Sequence, residues 1–269
     1  MLDLRTIAED AARAGGAVLT AHAGQVTGIR TKGVATDMVT AADIASGVAV
    51  VRSIAGVMEG ARFVVEEPEV YDLAGVARGS LDDDFVWVVD PLDGTTSFIH
   101  SYPCYSVSVA CVAGGRPVAG AVLNVPLDEM VSAAAGAGAT SNGVRLECAG
   151  ASDMPGALIA TGFPYDRGAA LDRQLRIFGR VLRPAHDVRR DGSAAIDLCN
   201  VAIGRTDGFW ETALKPWDMA AGVLVVEESG GAVTDFDGEP WTVSTRDVVA
   251  ANTVLHPVLL GLIAEADRR

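Results

Sequence analysis

The chain has 269 residues, of which 49% are hydrophobic and 21% charged, a globular rather than a disordered composition. Acids outnumber bases 35 to 21, a formal net charge of -14, which argues against a protein that grips nucleic acid or an anionic membrane by bulk positive charge. The same balance raises a question about any anionic substrate. Something other than side-chain charge must attract it, and a bound metal ion is the simplest source.

Residues 2–23 read as an amphipathic helix, with Leu4, Ile7, Ala8, Ala11, Val18 and Leu19 at helical spacing. The same N-terminal stretch carries acids and lacks the apolar centre of a secretory leader, and no later run approaches a membrane span, so a cytoplasmic location is expected. A second helix is predicted from Thr40 to Met58, and Thr40-Ala41-Ala42-Asp43 has the form of a capping box. The pattern then turns to strands. Residues 63–65 are short and apolar, and 85–89 form a continuous apolar run of the kind buried on both faces. Strands follow at 106–112, 117–123, 130–135 and 157–161. Helices are predicted at 169–183, 193–203 and 217–229, the second with Gly204 at its C-cap, then a strand at 248–251 and a last helix opened by Pro257. Cys104, Cys111, Cys148 and Cys199 form no C-x-x-C pair and read as small core residues. This order predicts a layered α/β (α+β) chain. It reads as one domain over 1–269, with loops at 66–84 and 136–156 and a soft boundary between two lobes near 136–156.

The densest chemical signal is Trp87-Val88-Val89-Asp90-Pro91-Leu92-Asp93-Gly94-Thr95-Thr96. A buried strand runs into two acids three apart across a turn, and two carboxylates with a carbonyl are hard oxygen ligands suited to Mg²⁺. Gly94 permits close backbone approach, and the N–H groups that follow form a phosphate cradle at a helix start. The plainer reading is a strand-to-helix turn with Asp as its cap. Glu66-Glu67 in Val65-Glu66-Glu67-Pro68-Glu69 reads either as ligands or as a solvated acidic loop, and Asp218 in Lys215-Pro216-Trp217-Asp218 either as a ligand or as a helix cap.

Taken together, Trp87–Thr96 and Lys215-Pro216-Trp217-Asp218-Met219-Ala220-Ala221-Gly222 resemble the two signatures of the inositol monophosphatase family. The likeness continues through Asp37–Asp43, Ala160-Thr161-Gly162-Phe163-Pro164-Tyr165 and Gly231–Asp235, nearly the whole chain in order. It implies an αβαβα sandwich, Mg²⁺ (two to three ions), a homodimer and lithium sensitivity. It also implies residue roles. Glu66, Asp90 and the Leu92 carbonyl resemble the ligands of a first metal, and Asp90, Asp93 and Asp218 those of a second. Thr95 and Asp43 resemble the pair that orients the attacking water. Gly94 and Thr95 resemble the phosphate cradle, and Gly192, Ser193, Ala194 and Glu211 the segment that meets the substrate's hydroxyls. The chain departs from the family pattern at Val65 (commonly Gly), Pro68 (commonly Ser) and Ser97 (commonly Asn), which leaves open whether Glu66 or Glu67 faces a metal.

The function so implied is hydrolysis of a small polyol or sugar phosphate monoester, inositol 1-phosphate first. The alternatives are fructose 1,6-bisphosphatase, histidinol-phosphate phosphatase and nucleotide 3′-phosphatase activity, or a non-catalytic regulatory protein on the same fold. No G-x-S-x-G elbow and no G-x-G-x-x-G after a strand is present, so a serine hydrolase elbow and a dinucleotide site lack support.

Overall fold

The computed structural model describes residues 3–32, 36–165 and 167–267. The first half runs α1 (Leu4–His22), the hairpin β1 (Arg30–Thr31) and β2 (Met38–Val39), α2 (Ala41–Ala55), β3 (Arg62–Val65), α3 (Glu69–Ala74), β4 (Ala77–Arg78), β5 (Phe85–Asp93), α4 (Thr95–Ile99) and the meander β6 (Ser106–Ala113), β7 (Arg116–Asn124), β8 (Glu129–Ala134), β9 (Gly138–Ser141) and β10 (Val144–Arg145). The second half alternates: β11 (Leu158–Thr161), α5 (Ala169–Leu182), β12 (Asp187–Arg189), α6 (Ala194–Ile203), β13 (Gly208–Glu211), α7 (Pro216–Glu228), β14 (Ala232–Thr234), β15 (Val248–Ala251) and α8 (His256–Asp267).

Every long predicted element is present within a few residues; Leu2, the predicted start of the first helix, lies outside the described residues. The differences are the short pieces. The stretch 66–84, expected as a loop, holds α3 and β4, and 136–156 holds β9 and β10, which extend the meander to one edge of the larger sheet. Two-residue strands carry too little pattern to be read from sequence.

Besides the two-stranded β1-β2 pair, two larger sheets form among the described residues, one of eight strands in the order β10-β9-β8-β7-β6-β5-β3-β4 and one of five in the order β12-β11-β13-β15-β14. Side-chain alternation along a strand explains how they stack. On β5, Trp87 and Val89 pack with Ala8 and Ala11 of α1 and Val50 and Ile54 of α2. Val86 and Val88, one residue out of phase, pack instead with Leu198 of α6 and Met219 and Val223 of α7. On the second sheet Phe209 and Ala250 join that same central cluster, whereas Trp210 and Val249 face Ile177 of α5 and Leu259 and Ile263 of α8. The result is the expected αβαβα layering, with α6 and α7 between the sheets. Each large side chain so buried contributes about 1.5–3 kcal/mol of transfer free energy. Among the described residues no helix is long and apolar enough to cross a membrane. The four cysteines are free, three of them buried and Cys148 partly so.

The central helix pair lies close to the larger sheet because small residues permit it. A Cβ added at Gly120 of β7 would sit 3.0 Å from the Ala221 Cα of α7, and one added at Gly222 would sit 2.7 Å from the Leu198 Cβ of α6. Backbone is the obstacle at Gly120, so a larger side chain there must push α7 away. Gly120→Val should therefore lower the unfolding free energy by about 1–3 kcal/mol through overpacking. Urea denaturation measures this, and an unchanged midpoint would show that α7 does not rest on β7.

Candidate active site

The bulge at the end of β5 brings the central acids together. Asp90 pairs with Ser108 and Asp93 with Ser106, so three steps along β5 match two along β6. In a regular strand, residues three apart point to opposite faces. The extra residue of the bulge cancels that parity change, and both Asp90 and Asp93 line a cavity of about 220 Å³. Leu92 N donates to Asp90 Oδ1 at 3.0 Å, which fixes the carboxylate inside the bulge. Gly94, which follows, has φ +95°, and a Cβ there would stand 2.8 Å from the Cys104 carbonyl oxygen. Only glycine takes this position without strain.

The predicted residues converge. Glu66, Asp90, Leu92, Asp93, Gly94 and Thr95 line the cavity from the first half of the chain, and Gly192, Ala194, Glu211 and Asp218 from the second. Asp43 and Ser193 stand one bond behind it. The Thr95 hydroxyl donates to Asp43 Oδ1 at 3.0 Å, while Asp43 Oδ2 accepts from the Thr40 N–H at 2.9 Å. The capping box and the link to Thr95 thus use different oxygens of one carboxylate. Ser193 Oγ donates to Asp93 Oδ2 at 2.6 Å, and Ala195 N to the same atom at 2.9 Å. Asp218 both caps α7, accepting from Lys215 N at 2.7 Å, and lines the cavity. The cap reading holds, and the same carboxylate reaches the cavity that the ligand reading requires. Glu211, at the end of β13, is only 8% exposed. It lies against Gly162, where a Cβ would come within 2.1 Å of its Oε2.

Three further residues that the sequence motifs did not point to, Lys32, Arg190 and Asp197, also line the cavity. Lys32 Nζ lies 2.8 Å from Glu66 Oε1 and also contacts Glu67. Glu66 faces the cavity, whereas Glu67 is 2% exposed and is not part of the lining. Of the two, Glu66 is the one presented to a ligand.

Seven acidic and three basic side chains line the cavity among the described residues. Burial, reinforced by the neighbouring charges of Glu66, Asp93 and Asp218, pushes Asp90 well above the usual carboxylate range. Burial and the charges of Asp93 and Glu66 do the same to Asp218. Asp93 is raised to about 6 by burial, against the opposing bonds from Ser193 and Ala195. Burial with Asp218 and Asp93 nearby takes Glu211 to about 8, and burial takes Glu67 to about 7 despite Lys32. Asp43 is raised by burial as well. Crowded oxygen donors whose charged forms lack compensation fit a hard divalent cation. Among the described residues no three of these acids are already drawn into a cage around one point; Lys32 supplies part of the missing positive charge. Glu66, Asp90, Asp93, Asp218 and the Leu92 carbonyl are the groups able to hold such an ion.

Comparison with known proteins agrees with this geometry. The family model described as the inositol monophosphatase family matches residues 1–268. An inositol-1-monophosphatase of Synechocystis is 38% identical over 97% of this chain and 90% of its own. The Nus factor SuhB of Pseudomonas aeruginosa is 44% identical over 67% of this chain and 67% of its own. The solved structure of an inositol monophosphatase from Anabaena (Nostoc) is similar at a TM-score of 0.85 and 35% identity, covering 97% of this chain and 95% of that one.

The raised carboxyls make a stability prediction. A group whose folded pKa exceeds its unfolded value contributes stability that is full below the ordinary carboxylate range and is lost as pH rises through the folded value. For Asp93, Glu67 and Glu211 that window runs from the ordinary range up to about 6, about 7 and about 8. In chelator, the melting temperature should fall between about pH 5 and about pH 8, and Mg²⁺ should offset the fall. Thermal melts across that range test it; a melting temperature that climbs with pH in chelator would contradict the placement of these acids.

Proposed function

The chain belongs to the inositol monophosphatase family, and we propose that it hydrolyses phosphate monoesters of small polyols or sugars, inositol 1-phosphate first among them, with Mg²⁺ as its cofactor. The observation that carries this reading is the meeting, in one cavity, of the Asp90–Asp93 bulge, the Gly94 turn and the Thr95–Asp43 pair. The family supports a phosphatase; the substrate and the ion belong to the proposal.

When bound by Glu66, Asp90, Asp93, Asp218 and the Leu92 carbonyl, divalent cations supply positive charge for the phosphate and lower the pKa of water. The chain's own groups do the rest. The first-turn N–H groups of α4 have no acceptor within the helix and are available to phosphoryl oxygens. The Thr95 hydroxyl donates its hydrogen bond to Asp43 Oδ1 and so keeps its lone pairs free to accept one from water. Asp43, buried and raised in pKa, is suited to take the proton that Thr95 passes on. Ser193 and Ala195 hold Asp93 in place. Glu211 accepts hydrogen bonds from the leaving group's hydroxyls.

A second reading, a regulatory protein on the same fold, draws on the relative named Nus factor. The presence of every proposed ligand and of the Thr95–Asp43 pair favours turnover. A homodimer and inhibition by lithium, which the family resemblance implies, and the cytoplasmic location expected from the sequence stand with the proposal.

Phosphate release from inositol 1-phosphate, fructose 1,6-bisphosphate, histidinol phosphate and a 3′-phosphonucleotide separates the readings. Inositol 1-phosphate should be turned over fastest, only with Mg²⁺, and not in excess chelator. Thr95→Val should keep the fold and lower kcat by about 10²-fold or more, in the range of lost proton-transfer assistance. Absence of turnover on the whole panel would favour the regulatory reading, and full activity in chelator would overturn the metal-dependent one.

A further inference from the structure

Asp197 lies in the first turn of α6, lines the cavity and is 1% exposed. Its Oδ1 is buried without a hydrogen-bond partner. The helix does not need it as a cap, because Ser193 Oγ already accepts from Ile196 N at 3.3 Å. A buried carboxylate oxygen without a partner among the described residues is costly, and beside a cavity it is explained by a water or a ligand that fills the space. The charges of Glu211, Asp191, Asp93 and Arg190 all act on it.

The surroundings form a built site. Gln174 Nε2 donates to Gly162 O at 2.7 Å and to Thr161 Oγ1 at 2.8 Å, and Thr161 Oγ1 donates to Trp210 O at 2.8 Å. These bonds tie the end of β11 to the end of β13, fixing the platform on which Glu211 rests against Gly162. Arg190 lines the same cavity. A group rich in hydroxyls meets acceptors at Glu211 and Asp197 and a donor at Arg190 in the one cavity.

We propose that Asp197 is a specificity-determining residue that, with Glu211, binds hydroxyls of a neutral polyol leaving group. The proposal rests on the phosphatase reading and narrows its substrate class. Burial favours the neutral form of the Asp197 carboxyl, and a neutral carboxyl, like a hydroxyl, both donates and accepts.

The test compares inositol 1-phosphate with cyclohexyl phosphate, the same ring without hydroxyls, in the Mg²⁺-loaded protein. Asp197→Leu removes the hydrogen-bonding group at similar volume. It should lower the ratio of kcat/KM for inositol 1-phosphate to that for cyclohexyl phosphate about tenfold, the scale of one lost hydrogen bond. The change should fall in KM, and Asp197→Asn, which keeps a donor and an acceptor, should recover most of it. A ratio within twofold of the unsubstituted protein in Asp197→Leu would overturn the proposal. Inositol 1-phosphate analogues lacking one ring hydroxyl at a time provide a second measurement that needs no variant. At least one deletion should raise KM about tenfold in the unsubstituted protein, and if none does, the proposal fails. Hydrolysis of cyclohexyl phosphate keeps the two claims apart. If the unsubstituted protein hydrolyses neither ester, the reading of inositol 1-phosphate as substrate, on which the proposal rests, is wrong; if it hydrolyses both and the ratio does not move, only the role of Asp197 is.

Discussion

Carboxylates held together away from water repel one another and lose hydration, and the arrangement of this molecule follows from how that repulsion is managed. Asp90, Asp93, Asp218 and Glu66 share one cavity with Glu211 and Asp197. Helices α4, α6 and α7 begin at its wall, and α2 begins behind Thr95, so the positive ends of four helix dipoles lie beside the acids. Backbone N–H groups at three of those helix starts bind specific oxygens: Ala195 N in the first turn of α6 binds Asp93, and the N-cap groups Lys215 N and Thr40 N bind Asp218 and Asp43. Lys32 contributes the one close side-chain cation to Glu66 and Glu67 among the described residues. These devices leave Asp90, Asp93, Asp197, Glu211 and Asp218 with raised pKa values, in a cavity still short of positive charge. That shortage resolves the question posed by the net charge of -14. An acidic protein can attract a phosphate when its acids first attract a cation.

The layers supply the rigidity this arrangement needs. β5 is packed on both faces, by α1 and α2 on one and by α6 and α7 on the other, and so cannot shift when its bulge presents two like charges. The helix that carries Asp218 is held against the larger sheet at Gly120 and against α6 at Gly222. The second sheet delivers Glu211 from β13, which runs parallel to β11 and antiparallel to β15. Residues on both sheets and on the helices between them thus meet in one cavity, as ligand sites in α/β folds commonly do at strand ends.

Much of this was legible in the residues, and the parts that were not share a physical reason. The run Val86–Val89 shows a strand buried on both faces because neither face offers a polar residue to water, while Phe85 at its start is exposed. Thr40 and Asp43 show their capping box because its spacing is local. Asp90 and Asp93 were legible as a pair, but the bulge that aims them depends on the register with β6, which lies outside the motif. Asp197 was hidden inside an apolar helix pattern, where an acid reads as a solvated position; only the packing of α6 against β13 shows that it is buried. The choice between Glu66 and Glu67 depended on which side of the turn after β3 faces the cavity, and two adjacent identical residues cannot signal that. The short strands at 30–31, 38–39 and 144–145 exist because a neighbour pairs with them, not because their own residues demand extension.

The central claim is that these acids form a site short of positive charge that a divalent cation completes. Titration calorimetry of Mg²⁺ into the metal-free protein, repeated near neutral pH in buffers of different ionisation enthalpy, tests it most directly. Carboxyls whose pKa values are raised in the empty site must give up protons when the ion binds. The apparent heat should therefore depend on the buffer and show net proton release, and Asp90→Asn should weaken binding and reduce the release. Binding with a heat independent of buffer, or no binding at millimolar Mg²⁺, would contradict the account.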